Sequence, residues 1–308
     1  MSGTLSPGDS PDIVARLRAA GCVFAEDEAR LLVSAARTPA ELDAMVQRRA
    51  SGLPLEHVLG WAEFCGLRIA VDPGVFVPRR RSEFLARQAI ALARGITAAG
   101  SQPASPDPPS GSPTRPASPD HDRCEFAAHL TAPNSHRSLV VVELCCGAGA
   151  VSAALAAALD RPEVHAVDID PAAVRCARRN LTAAGGRVYP GDLYAPLPAA
   201  LRGRVDVLVA NAPYVPTGEI GLQPAEARLH EPRVALDGGA DGLDVLRRVI
   251  GGAPPWLAPE GGVLVETSER QAPRAAEAMT GAGLAPRVAS SDEMGATVVI
   301  GTRADRAR

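Results

Sequence analysis

Residues 139–149 read LVVVELCCGAG, and this stretch decides the fold. Leu139 to Leu144 is a largely β-branched apolar run, the pattern of a strand buried on both faces. The glycines that follow allow a tight turn in which backbone can approach a ligand closely. Ala150 to Leu159 is Ala-rich and suits a helix. The whole segment from Ser138 is apolar enough to suggest a membrane span. Glu143, Gly147 and Gly149 fall in its middle, so strand, turn and helix is the better reading.

The same alternation continues downstream. Val164 to Asp168 reads as the next strand, and Pro171 opens a helix running to about Ala183. A third strand precedes Gly191-Asp192. Val205 to Ala210 is the fourth and Val263 to Glu266 the fifth, with late strands at Arg287 to Ser290 and Ala296 to Gly301. Strands alternating with helices predict a mostly parallel, doubly wound α/β sheet.

Upstream, Val14, Leu17 and Ala20, then Ala29, Leu32, Val33 and Ala36, fall at helical spacing. Pro39 can open a further helix with Leu42, Met45 and Val46 on one face. Between 61 and 78, Phe64, Leu67, Ile69, Val71, Val75 and Val77 alternate around Asp72-Pro73-Gly74, which predicts a β-hairpin turning there. Ser82 is the expected N-cap of a helix that Gly95 ends. From Gly100 to about Pro133 the chain is rich in Pro, Ser, Asp and Gly and cannot bury enough apolar surface to fold. The expected division is a helical module at 1–59, a hairpin bridge at 60–80, a connecting helix at 81–99, a disordered insertion at 100–137 and an α/β domain at 138–308.

Composition excludes several function classes. The 308 residues are 46% hydrophobic with a net charge of −3, and no long basic run appears, so no general affinity for nucleic-acid backbones is expected. Aromatics make up 3%, too few for a base-stacking platform. There is no lysine, which rules out Schiff-base chemistry and a Walker-type phosphate loop. The six cysteines form no C-x-x-C and the six histidines no H-E-x-x-H, so neither a metal centre nor a disulfide framework is expected. Dispersed cysteines fit a reducing cytoplasm. The start, MSGTLSPGDSPD, has no apolar signal core.

In open α/β sheets, ligands bind beyond the carboxyl ends of the strands. The first strand ends in Glu143-Leu144-Cys145-Cys146-Gly147-Ala148-Gly149 and the second in Val167-Asp168, where a carboxylate can hold ribose hydroxyls. The loop lacks the G-x-G-x-x-G register of a dinucleotide site. Its acidic residue, Glu143, disfavours a pyrophosphate and suits a sulfonium and an ammonium, so the charge favours S-adenosylmethionine over NAD. The alternative is a plain tight turn with Asp168 capping the next helix. Asp192 can accept from an adenine amino group while Leu193 packs on the ring; a solvent-exposed loop aspartate is the other reading.

The fourth strand ends in Asn211-Ala212-Pro213-Tyr214. An amide nitrogen is a poor nucleophile because its lone pair is delocalised into the carbonyl. The Asn211 side-chain oxygen and the carbonyl of Ala212 can each accept one N–H of a planar NH₂ and aim its lone pair. Pro213 stiffens the loop, and the Tyr214 ring can pack on the flat amide. Alone, the tetrad could be an ordinary turn. Its place after the fourth strand, beside a nucleotide-like loop, favours the chemical reading.

The match widens along the chain. Pro54-Leu55-Glu56-His57-Val58-Leu59-Gly60, Glu63-Phe64-Cys65-Gly66-Leu67, Val71 to Arg79, the tetrad, and Glu231 to Leu243 run in family order. The chain resembles the HemK/PrmC family of protein-(glutamine-N5) methyltransferases that modify peptide chain release factors. The resemblance implies a Rossmann-like class I S-adenosylmethionine-dependent methyltransferase with one antiparallel strand. It further implies an N-terminal helical module that engages the protein substrate. It puts the cofactor at Cys145, Cys146, Gly147, Ala148, Gly149, Asp168, Leu193 and Asn211, and the acceptor glutamine at Asn211 to Tyr214. The partner so implied is a release factor, with no direct nucleic-acid or membrane contact. Cys145 and Ala212 depart from the family's usual glycine and proline, Arg80-Arg81 from its Pro-x, and the insertion is atypical. These departures mark a divergent branch. A nucleobase amino-methyltransferase and a non-catalytic binding protein of the same fold are the alternatives.

Overall fold

The computed structural model describes residues 10–100 and 138–303. Beyond Gly100, the Pro/Ser-rich stretch expected at 100–137 lies outside the described residues. Four helices come first: α1 (Ser10–Ala19), α2 (Ala25–Ala35), α3 (Pro39–Ala50) and α4 (Leu55–Leu59). They close on a small core of their own around Leu17, Leu32, Met45, Val46 and Val58. Thr38 caps α3 by accepting from the Glu41 N–H, with Pro39 in the first turn. Ala20 falls outside α1 and is exposed; Ile13 takes the buried place instead.

The hairpin is β1 (Trp61–Phe64) with β2 (Leu67–Ala70), antiparallel, Phe64 facing Leu67. Its turn is therefore Cys65-Gly66 and not the expected Asp72-Pro73-Gly74. Cys65 and Gly66 both have positive φ, 50° and 74°. That is the combination whose twist matches two paired strands. Pro73 lacks the N–H that a ladder needs. It sits in a separate turn closed by the Val75 N–H on the Asp72 carbonyl. Helix α5 (Glu83–Gly100) also runs past the expected stop at Gly95. A glycine inside a helix costs about 1 kcal/mol, and the fully buried face of Leu85, Ala86, Ala89 and Ala93 outweighs it. Ser82 lies in a short 3-10 turn ahead of α5.

The main sheet has seven strands: β3 (Val140–Leu144), β4 (Glu163–Asp168), β5 (Arg187–Pro190), β6 (Val205–Ala210), β7 (Leu257–Thr267), β8 (Leu284–Ser291) and β9 (Ala296–Arg303). Their order is 5-4-3-6-7-9-8. All run parallel except β9, which pairs antiparallel with both neighbours. Helices α6 (Ala150–Ala158) and α7 (Pro171–Leu181) join α5 on one face. α9 (Asp244–Gly252) and α10 (Ala272–Gly281) cover the other, and the short α8 (Ala225–His230) lies between β6 and α9 in sequence. Val140, Val142 and Leu144 serve one core while Val141 serves the other, as strand alternation requires.

The helical module is tied to the sheet domain by charge. Arg49 on α3 is nearly buried, pairs with Glu28 through Nε at 2.6 Å and Nη2 at 3.0 Å, and reaches Glu226 on α8 at 2.6 Å. Removing one partner of a buried pair strands the other. Arg49→Met is expected to lower unfolding free energy by about 3 kcal/mol in urea titration. Glu226→Gln, at the wetter end, should cost under about 1 kcal/mol.

Candidate active site

Strand register brings four residues to one edge of the sheet. Leu144 pairs with Val167 and with Ala210, and Ala210 pairs with Val265. The next residue of each strand is therefore level with the others: Cys145, Asp168, Asn211 and Glu266. Chain order reverses between β3 and β6, and a crevice opens at such a switch point. A cleft of about 390 Å³ lies there, within the range of roughly 300–1,000 Å³ typical of small-molecule sites. Glu143, Cys145 to Ala148, Asp168, Asp192, Leu193 and Asn211 to Tyr214 all line it.

One end of the cleft is built from backbone and carboxylates. Cys145 has φ 55°, a left-handed conformation that strains a non-glycine residue, and Gly147 and Gly149 follow with φ 53° and 76°. Asp168 holds this loop: its carboxylate accepts from the Gly147 N–H at 2.7 Å and the Asp170 N–H at 2.9 Å. Burial pushes its pKa up. Asp170, and not Asp168, caps α7, accepting from the Ala172 N–H at 2.8 Å. Glu143 is buried beneath the loop and accepts from the Ser152 N–H at 2.8 Å. Burial pushes its carboxyl up to about 8. A cation entering the cleft would favour its ionised form. Asp192 is exposed and paired with Arg248 at 2.5 Å, while Leu193 is buried at φ 48°. Burial also raises both vicinal thiols, Cys145 and Cys146, so neither is an activated nucleophile.

The other end centres on the tetrad. Asn211 donates its Nδ2 to the Ser82 hydroxyl at 3.0 Å. That contact turns the amide oxygen away from Ser82, a placement that the expectation of Ser82 as a helix cap did not foresee. The Tyr214 hydroxyl donates to Glu266 at 3.2 Å, and its carbonyl accepts from Gln271 Nε2 at 3.0 Å. Burial first, then the Glu266 charge, raise the phenol pKa. Of the three arginines, Arg79 grips Glu231 through both oxygens at 2.6 Å and Arg81 contacts Glu266 at 3.3 Å; both line the cleft. Glu83, which follows Ser82, accepts from the Cys65 N–H at the hairpin turn and does not line the cleft. Ser82, Glu266 and Gln271 escaped sequence reasoning. A strand ending in Val-Glu-Thr was the one available signal for Glu266.

A glycine loop, a carboxylate at each of two strand tips and a polar tetrad at a third make up the site. The family described as Methyltransferase small domain matches residues 121–254. The fold and this match define a Rossmann-like S-adenosylmethionine-dependent methyltransferase. The chain is 32% identical over 270 residues to a release factor glutamine methyltransferase of Geobacter sulfurreducens, covering 86% of this chain and 79% of that one. It is 43% identical over 140 residues to a ribosomal protein uL3 glutamine methyltransferase of Burkholderia pseudomallei, covering 43% and 45% of the two chains. A 4-amino-L-phenylalanine/4-methylamino-L-phenylalanine methyltransferase of Streptomyces pristinaespiralis is 32% identical over 226 residues, covering 73% and 65%. The chain belongs to the release factor glutamine methyltransferase family.

The residues fit that cofactor. The loop backbone is open at Gly147, where an added Cβ meets nothing within 4 Å, and the two acidic groups suit a cationic ligand with ribose hydroxyls. Glu143 sets a pH test. Its folded pKa lies above the unfolded value of 4.5, so its contribution to stability is full below 4.5 and is lost as pH rises through about 8. Thermal melts of ligand-free wild type should decline across that window more steeply than those of Glu143→Gln; parallel profiles would show that Glu143 is ionised throughout.

Proposed function

We propose that the chain methylates the side-chain amide nitrogen of a glutamine in a protein, and that the acceptor is a peptide chain release factor. The observation that carries this reading is the Asn211–Ser82 contact. With its nitrogen committed to Ser82, Asn211 offers its oxygen as an acceptor. The Ala212 carbonyl, one residue on, is the second acceptor. Each takes one N–H of the glutamine NH₂, so the nitrogen lone pair points across the cleft and not into the plane of the amide. Bound S-adenosylmethionine supplies an electrophilic methyl group on a positively charged sulfur. As positive charge develops on the nitrogen, its N–H groups become stronger donors to Asn211 and Ala212, which favours the transition state over the ground state. The nitrogen then releases a proton, newly acidic, to solvent.

In this reading Tyr214 offers its ring to the flat amide and Pro213 limits the loop's freedom. Cys145 to Ala148 carry the cofactor by backbone contact, while Gly149, outside the cleft lining, turns the chain into α6 against Ala177. Glu143 faces the cationic end of the cofactor, Asp168 takes the ribose hydroxyls, and Asp192 and Leu193 flank the adenine. The helical module at 1–59 engages the acceptor protein. A cytoplasmic setting goes with that acceptor and with the five free cysteines among the described residues. Among the described residues no helix is long and apolar enough to cross a membrane. No nucleic-acid contact is proposed, since the sequence pI is about 6.1.

Asn211→Ala is expected to reduce methyl transfer about a hundredfold or more while calorimetry finds cofactor affinity little changed. Ser82→Ala should cause a smaller loss in turnover alone. Peptide mass spectrometry of release factors incubated with the protein and labelled cofactor identifies the acceptor; label on nucleic acid, or on no protein glutamine, would overturn the assignment.

A further inference from the structure

Glu266 closes the expected fifth strand but is not among the candidate site residues of the sequence. It follows Val265, which pairs with Ala210, so it stands beside Asn211 at the tips of adjacent strands. Its side chain is 2% exposed. Oε1 receives the Tyr214 hydroxyl at 3.2 Å and Arg81 Nε at 3.3 Å, while Oε2 has no hydrogen-bond partner among the described residues. A buried carboxylate with one idle oxygen is a poor stabilising element, since desolvation is only partly compensated. What it does hold is specific: two side chains that both line the cleft. Arg81 also stands 5.7 Å from the centre of the Tyr214 ring. Gln271 fixes the Tyr214 carbonyl from the other end. The residue is thus pinned at its main chain and at its phenol, and the ring between them has one orientation.

We propose that Glu266 is a positioning residue for methyl transfer, acting through Tyr214 and Arg81 to hold the wall against which the planar acceptor lies. The proposal rests on the acceptor reading of Asn211 to Tyr214. It assigns Glu266 no contact with the acceptor or cofactor. Its loss should therefore appear in turnover and not in cofactor binding.

Glu266→Leu removes the acceptor oxygens at similar length. It is expected to melt cooperatively and to bind S-adenosylmethionine as wild type does by calorimetry, while kcat falls at least about tenfold. Glu266→Gln, which keeps a carbonyl for the phenol, should recover part of that loss. In a Tyr214→Phe background, Glu266→Leu should cost less than it does alone, because both changes break the Tyr214–Glu266 contact and only the Arg81 contact is left to lose. Unchanged kcat in Glu266→Leu, losses that multiply independently, or cofactor affinity falling in step with kcat would each overturn the proposal. Where Glu266→Leu fails to fold, Glu266→Gln with and without Tyr214→Phe carries the same cycle. The variants are assayed on a glutamine peptide and on an aryl amine. Wild-type turnover on the amine alone removes the glutamine reading and leaves the Glu266 test intact. With neither acceptor active, hydrogen exchange of segment 211–216 decides: faster exchange in the variant supports the role, and equal protection sinks it.

Discussion

The tetrad Asn211 to Tyr214 is shaped by how closely the loop at 236–242 approaches the backbone of Pro213 and Tyr214. A Cβ on Gly238 would lie 2.7 Å from the Pro213 carbonyl oxygen, and one on Gly242 would lie 2.3 Å from that of Tyr214. Only glycine fits at either place. The Val215 N–H donates to the Leu236 carbonyl, the Gly238 N–H to that of Val215, and the Thr217 N–H to that of Gly239. Asp237 accepts from Thr217 and from the Gly239 N–H, which keeps the loop folded against the tetrad. Methyl transfer to a neutral amide needs a lone pair aimed in one direction. In the proposed reading, a backbone held on several sides supplies that aim without any reorganisation at the moment of reaction.

This clamp bears on Ala212. Proline at that position would restrict the backbone through its own ring, and alanine does not. The restriction here comes from neighbours: Ala212 and Pro213 are buried, and Gln271 bridges the carbonyls of Tyr214 and Asp241. The departure at Cys145 has a different character. A glycine would take φ 55° without strain, whereas cysteine costs about 1–2 kcal/mol there. The strain is tolerated because the next residue is locked, Cys146 donating its N–H to the Val167 carbonyl at 3.0 Å and Asp168 holding Gly147.

Much of this was legible in the sequence, and unevenly. The strands of the sheet announced themselves because parallel strands are apolar on both faces, as in Val140 to Leu144 and Val205 to Ala210. The loop at 145–149 and the tetrad could be singled out because short motifs at strand ends carry their chemistry locally, and the structure brings both to one cleft. The hairpin turn was misread because Asp-Pro-Gly is a stronger compositional turn signal than Cys-Gly, although the latter has the dihedral angles that the strands need. Ser82 and Glu266 were invisible for a deeper reason. Ser82 is separated from Asn211 by 129 residues and Glu266 from Tyr214 by 52, and only the register of β6 with β7 and the path of the chain before α5 bring them together.

The same distance in sequence explains how the helical module can matter to chemistry it does not touch. Arg49 on α3 holds Glu226, and Glu226 lies on the segment between the tetrad and the clamping loop, within the wall of the cleft. A second tie lies beside it: Glu231 accepts from the Val77 N–H and from Arg79, just ahead of Ser82. Asn180 makes a third on the cofactor side, bonded to both the N–H and the carbonyl of Ala70 and to the carbonyl of Ala148 in the loop. Module, hairpin and cleft are therefore joined by buried or half-buried polar contacts with defined geometry, and not by apolar burial alone. Polar joints of this kind fix register where apolar contact permits sliding. Register is what a site needs when its task is to point one nitrogen at one carbon.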